Sequence, residues 1–341
     1  VLFPFTLPFA QLGGHYQIGP GGDFQSFDEA IDTLISQGVS DSVIFDNLSG
    51  SYQEQIVIPE ISGTNTTNTI TFQSQVAVAD SVVLWDSTTQ ANNYIVKLDG
   101  ADYIDFKHLT LESRSVDYGR IFHLENNARY NSISHCILNV LTTGSSTNNL
   151  ASIYSPDIYN QNSLDNILIE NNIFNQGYGI FLHTHNNHPA DSTKIINNTF
   201  NNMRHGIDLL NHVAPQVLNN TVQVTWSSGS GIILEGCPGT LKVTKNRVQV
   251  VRHEGIHISN CLASAGGRGL IANNFIRAGT PSNIFVFPLR INGDSYQDIF
   301  YNTVIYETVS FTSGSGLSIA GGNNIRLKNN CVFTPDDALA F

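Results

Sequence analysis

Charge is what this sequence has least of. Asp, Glu, Lys and Arg make up 13% of its 341 residues, about half the usual share in soluble domains. Positive charge is scarcer still, with 16 Lys and Arg against 28 Asp and Glu, a formal net charge of −12. Such a chain has no general affinity for nucleic acid or for an anionic membrane. An anionic polysaccharide would need a local basic patch or a bridging cation. Cysteines number four and no CxxC pair occurs, which excludes a disulfide scaffold and the common zinc knuckles. No apolar run approaches the ~20 residues of a membrane-spanning helix, so no membrane insertion is expected.

The place of charge is taken by Asn, Ser, Thr and Gly. The chain opens VLFPFTLPFAQ, an apolar stretch that turns polar after Ala10 and reads as the remnant of a secretory signal peptide over residues 1–11. The expected destination is secretion or the cell surface, in a Gram-negative bacterium.

A phrase then recurs. LIENNIFNQGYGIFL at 168–182 is followed by IINNTFNNMRHGIDL at 195–209. Asn172, Asn198, Asn220, Asn246, Asn274, Asn302 and Asn330 fall in one slot, at steps of 22 to 28 residues. Gly179, Gly206, Gly231, Gly255 and Gly316 open a second phrase. No segment inside the period carries a helical apolar pattern, and short alternating strands with Asn and Gly corners define a β-solenoid. The reading is an all-β, right-handed parallel β-helix of about nine coils. At its corners Asn adopts the left-handed conformation. Stacked about 4.8 Å apart, like side chains then hydrogen-bond from coil to coil. Before the repeat, SFDEAIDTLISQG reads as a capping helix. Ser26 and Glu29 form a capping box, Phe27, Ala30, Ile31, Leu34 and Ile35 make its apolar stripe, and Gly38 stops it. Residues 12–75 are expected to form the cap and first strands, and 76–341 the β-helix.

GGDFQSFDEAIDTL followed by GSYQEQIVIP resembles the N-terminal cap and first strands of the pectin-lyase-like superfamily, in the style of pectin methylesterases. The IxNNxF and GIxL phrases resemble the repeats of carbohydrate-binding and sugar-hydrolysing β-helix proteins. The resemblance covers about residues 15 to 341 and implies a fold, not one activity. Tyr296-Gln297-Asp298-Ile299 is similar to the Gln-Asp-Thr-Leu motif of the methylesterases, but lies several coils too late and has no second motif after it. His205-Gly206-Ile207-Asp208 shares only Gly and Asp with the alginate-epimerase motif.

In the Gly-apolar-x-apolar strand, the x positions point outward by the two-residue period. The middle coils thereby offer Asp208, Glu235, His257 and Arg290 as candidate catalytic groups. Asp208 and Glu235 sit one coil and two residues apart, roughly 8 Å, which suits an inverting hydrolase. A lyase would use His257 as base and Arg290 against a uronate. Tyr154, Phe181, His183 and Trp226 are candidate sugar contacts. His183, His185 and His188 have a metal-ligand spacing, so a divalent metal is the one cofactor considered. Two residues further along each coil runs a second outward column, in which Tyr154 is placed beside His183. Cys237 and Cys261 share a slot on adjacent coils, either as a disulfide or as two buried thiols. The functional expectation is a protein that binds, and on the enzyme reading processes, a polysaccharide along one sheet. Its alternative is a non-catalytic adhesin or surface stalk.

Overall fold

The computed structural model describes residues 10–141, 148–156, 163–279, 286–307 and 314–334. The stretch 1–11, expected to be a signal-peptide remnant, lies mostly outside them. The fold is a parallel β-solenoid of about 11 turns. Its described strands form three long sheets of 12, 10 and 11 strands, and every pairing between successive coils is parallel. The count of nine coils misses the ends. The early coils, such as Gly50–Gln53 with Ile56–Pro59, lack the Asn and Gly phrases on which the repeat was aligned. One continuous core fills the solenoid, and the sheets run unbroken past residue 75.

The helix, α1, spans Phe27–Gln37. Ser26 Oγ accepts the Glu29 N–H at 3.1 Å, while the Glu29 carboxylate accepts the Gln25 N–H at 2.6 Å. Glu54, from the SYQE stretch, accepts the N–H groups of Phe27 and Asp28 at 3.3 and 3.0 Å. A carboxylate there meets the positive end of the helix. Phe27, Ala30, Ile31 and Leu34 are buried, but Ile35 is exposed. Phe27, Phe45, Phe72 and Phe106 continue the packing inward as a run of stacked rings, with centroids 4.9 to 5.9 Å apart.

The two Asn positions of the repeat divide the corner's work. The first takes the left-handed backbone: Asn171, Asn197, Asn219, Asn273 and Asn329 have φ between 52° and 57°. Lys245 and Tyr301 hold the same place in other coils. The second does the stacking. The Asn172 N–H and side-chain amide both donate to Asn198 Oδ1, at 2.9 and 3.0 Å, and the amide also donates to Ile133 O at 2.8 Å. Equivalent bonds recur from Asn198 to Asn220, Asn246, Asn274, Asn302 and Asn330. The glycines have a separate reason: a Cβ at Gly179, Gly206 or Gly231 would lie 2.1 to 2.4 Å from the carbonyl of the next coil.

Candidate functional site

The 10-stranded sheet carries the candidate residues. Its outward register runs His123, Tyr154, Phe181, Asp208, Ile233, His257, Arg290 and Ser318, coil by coil. Tyr154 therefore stands in the same column as Phe181 and not, as expected, in the column of His183. Ile153 pairs with Ile180 and Tyr154 with Phe181, so Ser152 holds the slot of Gly179 in that coil. The second column holds His183, Leu210, Glu235, Ser259 and Asn292.

In the middle coils, rings come first. Tyr154 stacks on Phe181 at 5.7 Å, and Phe181 on His183 at 3.7 Å. His183 Nε2 lies 3.1 Å from Asp208 Oδ1. The Arg120 guanidinium lies over Tyr154, 3.3 Å from its ring centre. Phe181, His183 and Asp208 thus form one patch, with Glu235 exposed on the next coil.

A further column was missed by sequence reasoning: the residue just before each Gly, namely Tyr178, His205, Ser230 and Glu254. Tyr178 stacks on His205 at 5.5 Å. Glu254 accepts from Ser230 Oγ and from Arg290 Nη1, both at 3.1 Å. Burial pushes the Glu254 carboxyl up, but the charges and hydrogen bonds of His257, Ser230 and Arg290 outweigh it and hold the group below the usual carboxylate range. Burial holds His257 and His205 below the usual imidazole range. His205 Nδ1 and His257 Nε2 are buried without a hydrogen-bond partner among the described residues. A signal for this column existed, since aromatic or polar residues recur before the glycines.

Arg290 is engaged by Glu254 and is therefore not a free clamp for a uronate. Trp226 lies at the edge of the face, over Arg204, whose guanidinium carbon is 3.5 Å from the ring centre.

The three candidate metal ligands are not brought together. The strand Tyr178–His183 ends at His183, and Thr184 turns inward, bonding Leu210 O and Asn211 O. The alternation that would align His183 with His185 stops there. His185 and His188 belong to a turn closed by the His188 N–H on His185 O at 2.9 Å. Among the described residues, no three His, Cys, Asp or Glu side chains gather as metal ligands. His212, on the next coil, is buried with Thr193 Oγ1 and Leu182 O at its ring nitrogens; burial lowers its pKa to about 4 against the raising effect of the Leu182 hydrogen bond.

Cys237 and Cys261 are buried and unbonded to each other as a disulfide. Cys261 Sγ instead accepts the Cys237 N–H at 3.3 Å, and Asp294 accepts the Cys261 N–H one coil on. Cys261 Sγ is thus an acceptor for the coil before it, while both thiols donate to carbonyls of the preceding coil, Cys237 to Leu209 O and Cys261 to Leu234 O. Asp298, from the methylesterase-like stretch, sits on the 12-stranded sheet and is clamped by Arg268 and Arg326, far from the ring patch in the register.

The fold and its decorated sheet face define a parallel β-helix protein of the pectin-lyase-like kind. More narrowly, the chain belongs to the family described as periplasmic copper-binding protein (NosD), whose sequence pattern matches residues 123–305. Among solved structures it is similar to the Dettilon tailspike protein, at 14% identity and a TM-score of 0.60, over 89% of this chain and 58% of that one. It is also similar to the GH136 lacto-N-biosidase from Eubacterium ramulus, at 9% identity and a TM-score of 0.50, over 94% of this chain and 68% of that one. The chain thus spans 58% of the tailspike's length. Both likenesses are of fold. No curated protein matches the chain. No described helix is long and apolar enough to cross a membrane.

Proposed function

We propose that this protein binds a polysaccharide of uncharged backbone sugars along the 10-stranded sheet. The observation that carries the proposal is the run Tyr154, Phe181, His183, Asp208, in which stacked rings lead to a polar pair on adjacent coils. Aromatic faces suit the C–H faces of sugar rings, and carboxylates and imidazoles suit their hydroxyls. Acidic groups dominate the face: Asp99, Glu125, Asp208, Glu235 and Glu254 stand against Lys97 and Arg290, both paired to carboxylates, and Arg120, which lies over Tyr154. That balance disfavours a uronate chain. The tailspike and the lacto-N-biosidase supply the fold precedent for such a surface.

Copper, which the family's description names, is not carried over to this chain. Copper is held by soft sulfur or by imidazole sets. Met203, Cys136, Cys237 and Cys261 are all core residues, burial pushes the Cys136 thiol up to about 12, and neither the exposed Cys331 nor the imidazoles gather with further ligands among the described residues. We assign the ordered pair Asp208 and Glu235, with His257 beside them, to acid–base chemistry on the bound glycan if cleavage occurs.

The test is binding and reducing-end release across neutral and uronic glycans. A neutral glycan held by the native protein, and lost in Asp208→Asn with Phe181→Ala, is the expected result. Release abolished in Asp208→Asn and Glu235→Gln would make the protein a hydrolase; binding without release would make it an adhesin. No binding to any glycan by the folded protein would overturn the proposal.

A further inference from the structure

Arg204 is the charge in this molecule least accounted for. The residue is only 2% exposed, and none of its three guanidinium nitrogens meets a hydrogen-bond acceptor among the described residues. Burying an ion with all its donors unanswered is strongly unfavourable. Most charged side chains of this solenoid avoid that state, as the carboxylate clamps on Arg268, Arg290 and Arg326 illustrate. What covers Arg204 is the Trp226 indole, 3.5 Å away, a contact that compensates a buried cation only in part.

The cover is thin. Trp226 is 37% exposed and stands in the turn Thr225 to Gly229, between the strands Thr221–Val224 and Ile232–Glu235. Thr225, Ser227 and Ser228 of that turn are exposed. Gly229 closes it, because a Cβ there would strike Arg204 O at 1.5 Å. Tyr178 interacts electrostatically with both Arg204 and Asp208, so Arg204 borders the glycan face without belonging to it.

We propose that Arg204 is an oxyanion-binding site covered by Trp226. When the indole swings outward, the guanidinium presents its planar fork to a carboxylate or sulfate group, which it can grip through two oxygens. The ligand class is an anionic substituent on a glycan, or a free oxyanion with the same two-oxygen edge. Binding requires none of the side chains to which glycan contact is assigned above, so it stands or fails separately from that proposal.

The sequence contains two tryptophans, so Trp85→Phe leaves Trp226 as sole reporter. Its emission is titrated with inorganic sulfate, with a 6-sulfated N-acetylglucosamine, and with the same sugar unsulfated. A saturable change with both anions, and none with the neutral sugar, is expected. A change with the sulfated sugar alone assigns the site to a glycan substituent. Calorimetry on Trp226→Ala should show sulfate bound about tenfold more tightly, since the competing ring contact is gone. Arg204→Lys keeps the charge without the fork and should weaken binding, and Arg204→Met should abolish it. An emission change retained in a folded Arg204→Met protein, or no response to either anion in the native one, overturns the site.

Discussion

Two patches of one sheet face solve the same electrostatic problem differently. Near the N-terminal end, Lys97 reaches Glu125 at 2.6 Å and Asp99 at 3.4 Å. His123 Nε2 stands 3.2 Å from the other oxygen of Glu125. There every charge meets its opposite, and the network closes on itself. In the middle coils Glu254 is answered by Ser230 and Arg290, and Asp208 by His183. His123 Nε2 lies outside hydrogen-bond geometry but at ion-pair distance from Glu125, whereas His205 Nδ1 and His257 Nε2 have neither a hydrogen-bond nor an ion-pair partner among the described residues. Leftover buried hydrogen-bonding groups are unfavourable to the fold and are found where a ligand completes them. The closed patch reads as structure and the open one as a site.

Acid should separate the two patches most strongly. His212, under the middle coils, has its pKa lowered to about 4 by burial. A histidine with a depressed folded pKa favours the fold above the unfolded value and loses that contribution as pH falls toward the folded one. Between pH 6.5 and 4 this amounts to about 3 kcal/mol. His205 and His257 are shifted in the same direction. Asp294 works against them: burial raises it to about 6, so its contribution grows as pH falls through that value. Hydrogen exchange at pH 4.5 should show the middle coils opening before the coils of Lys97 and Glu125. Uniform loosening would remove the distinction.

The next largest effect belongs to the closed patch. The facing His123 imidazole, then the Lys97 ammonium, lowers the Glu125 pKa to about 2 against the opposing effect of burial. Its contribution is present above the unfolded carboxylate pKa and is lost as pH falls through about 2. Glu125→Gln should therefore destabilise the protein by about 2–3 kcal/mol at pH 7, measured by urea unfolding, with glycan affinity unchanged. Phe181→Ala should do the reverse. Its ring lies on the surface between Tyr154 and His183, so stability moves little, while glycan affinity drops about tenfold.

How far the sequence foretold these patches depends on what each residue is doing. The solenoid was legible because its period repeats in Asn and Gly, and both have a backbone or stacking reason to recur. The outward column was legible wherever coil lengths were regular, which placed Asp208, His257 and Arg290 together. It slipped at Tyr154, where Ser152 and not a glycine holds the slot of Gly179. Glu254 and His205 were not found because the chain bends at the glycines: Gly255 and Ile256 both face inward, and simple alternation fails across them. The His183, His185, His188 set failed for a similar reason, since the strand ends at the first of the three. Arg204 gave no signal, because pairing of a cation with a ring two dozen residues away is a tertiary fact.

The smallest effect has the most telling sign. If the open patch is a site, removing one of its unsatisfied groups should help the fold and harm the function. His257 lies in register between Ile233 and Arg290, and Leu is close to its volume. At pH 8, where the depressed His257 imidazole is neutral and lends Glu254 no charge, His257→Leu should raise stability by about 1 kcal/mol while weakening glycan binding. The matched change in the closed patch, His123→Leu, should lower stability, because Glu125 then loses the imidazole that faces it. Opposite signs at two positions of one column cannot come from burial alone, since both side chains are largely covered. Equal signs would mean that the leftover nitrogen of His257 carries no functional penalty, and the division of the face into a structural and a binding half would have to be abandoned.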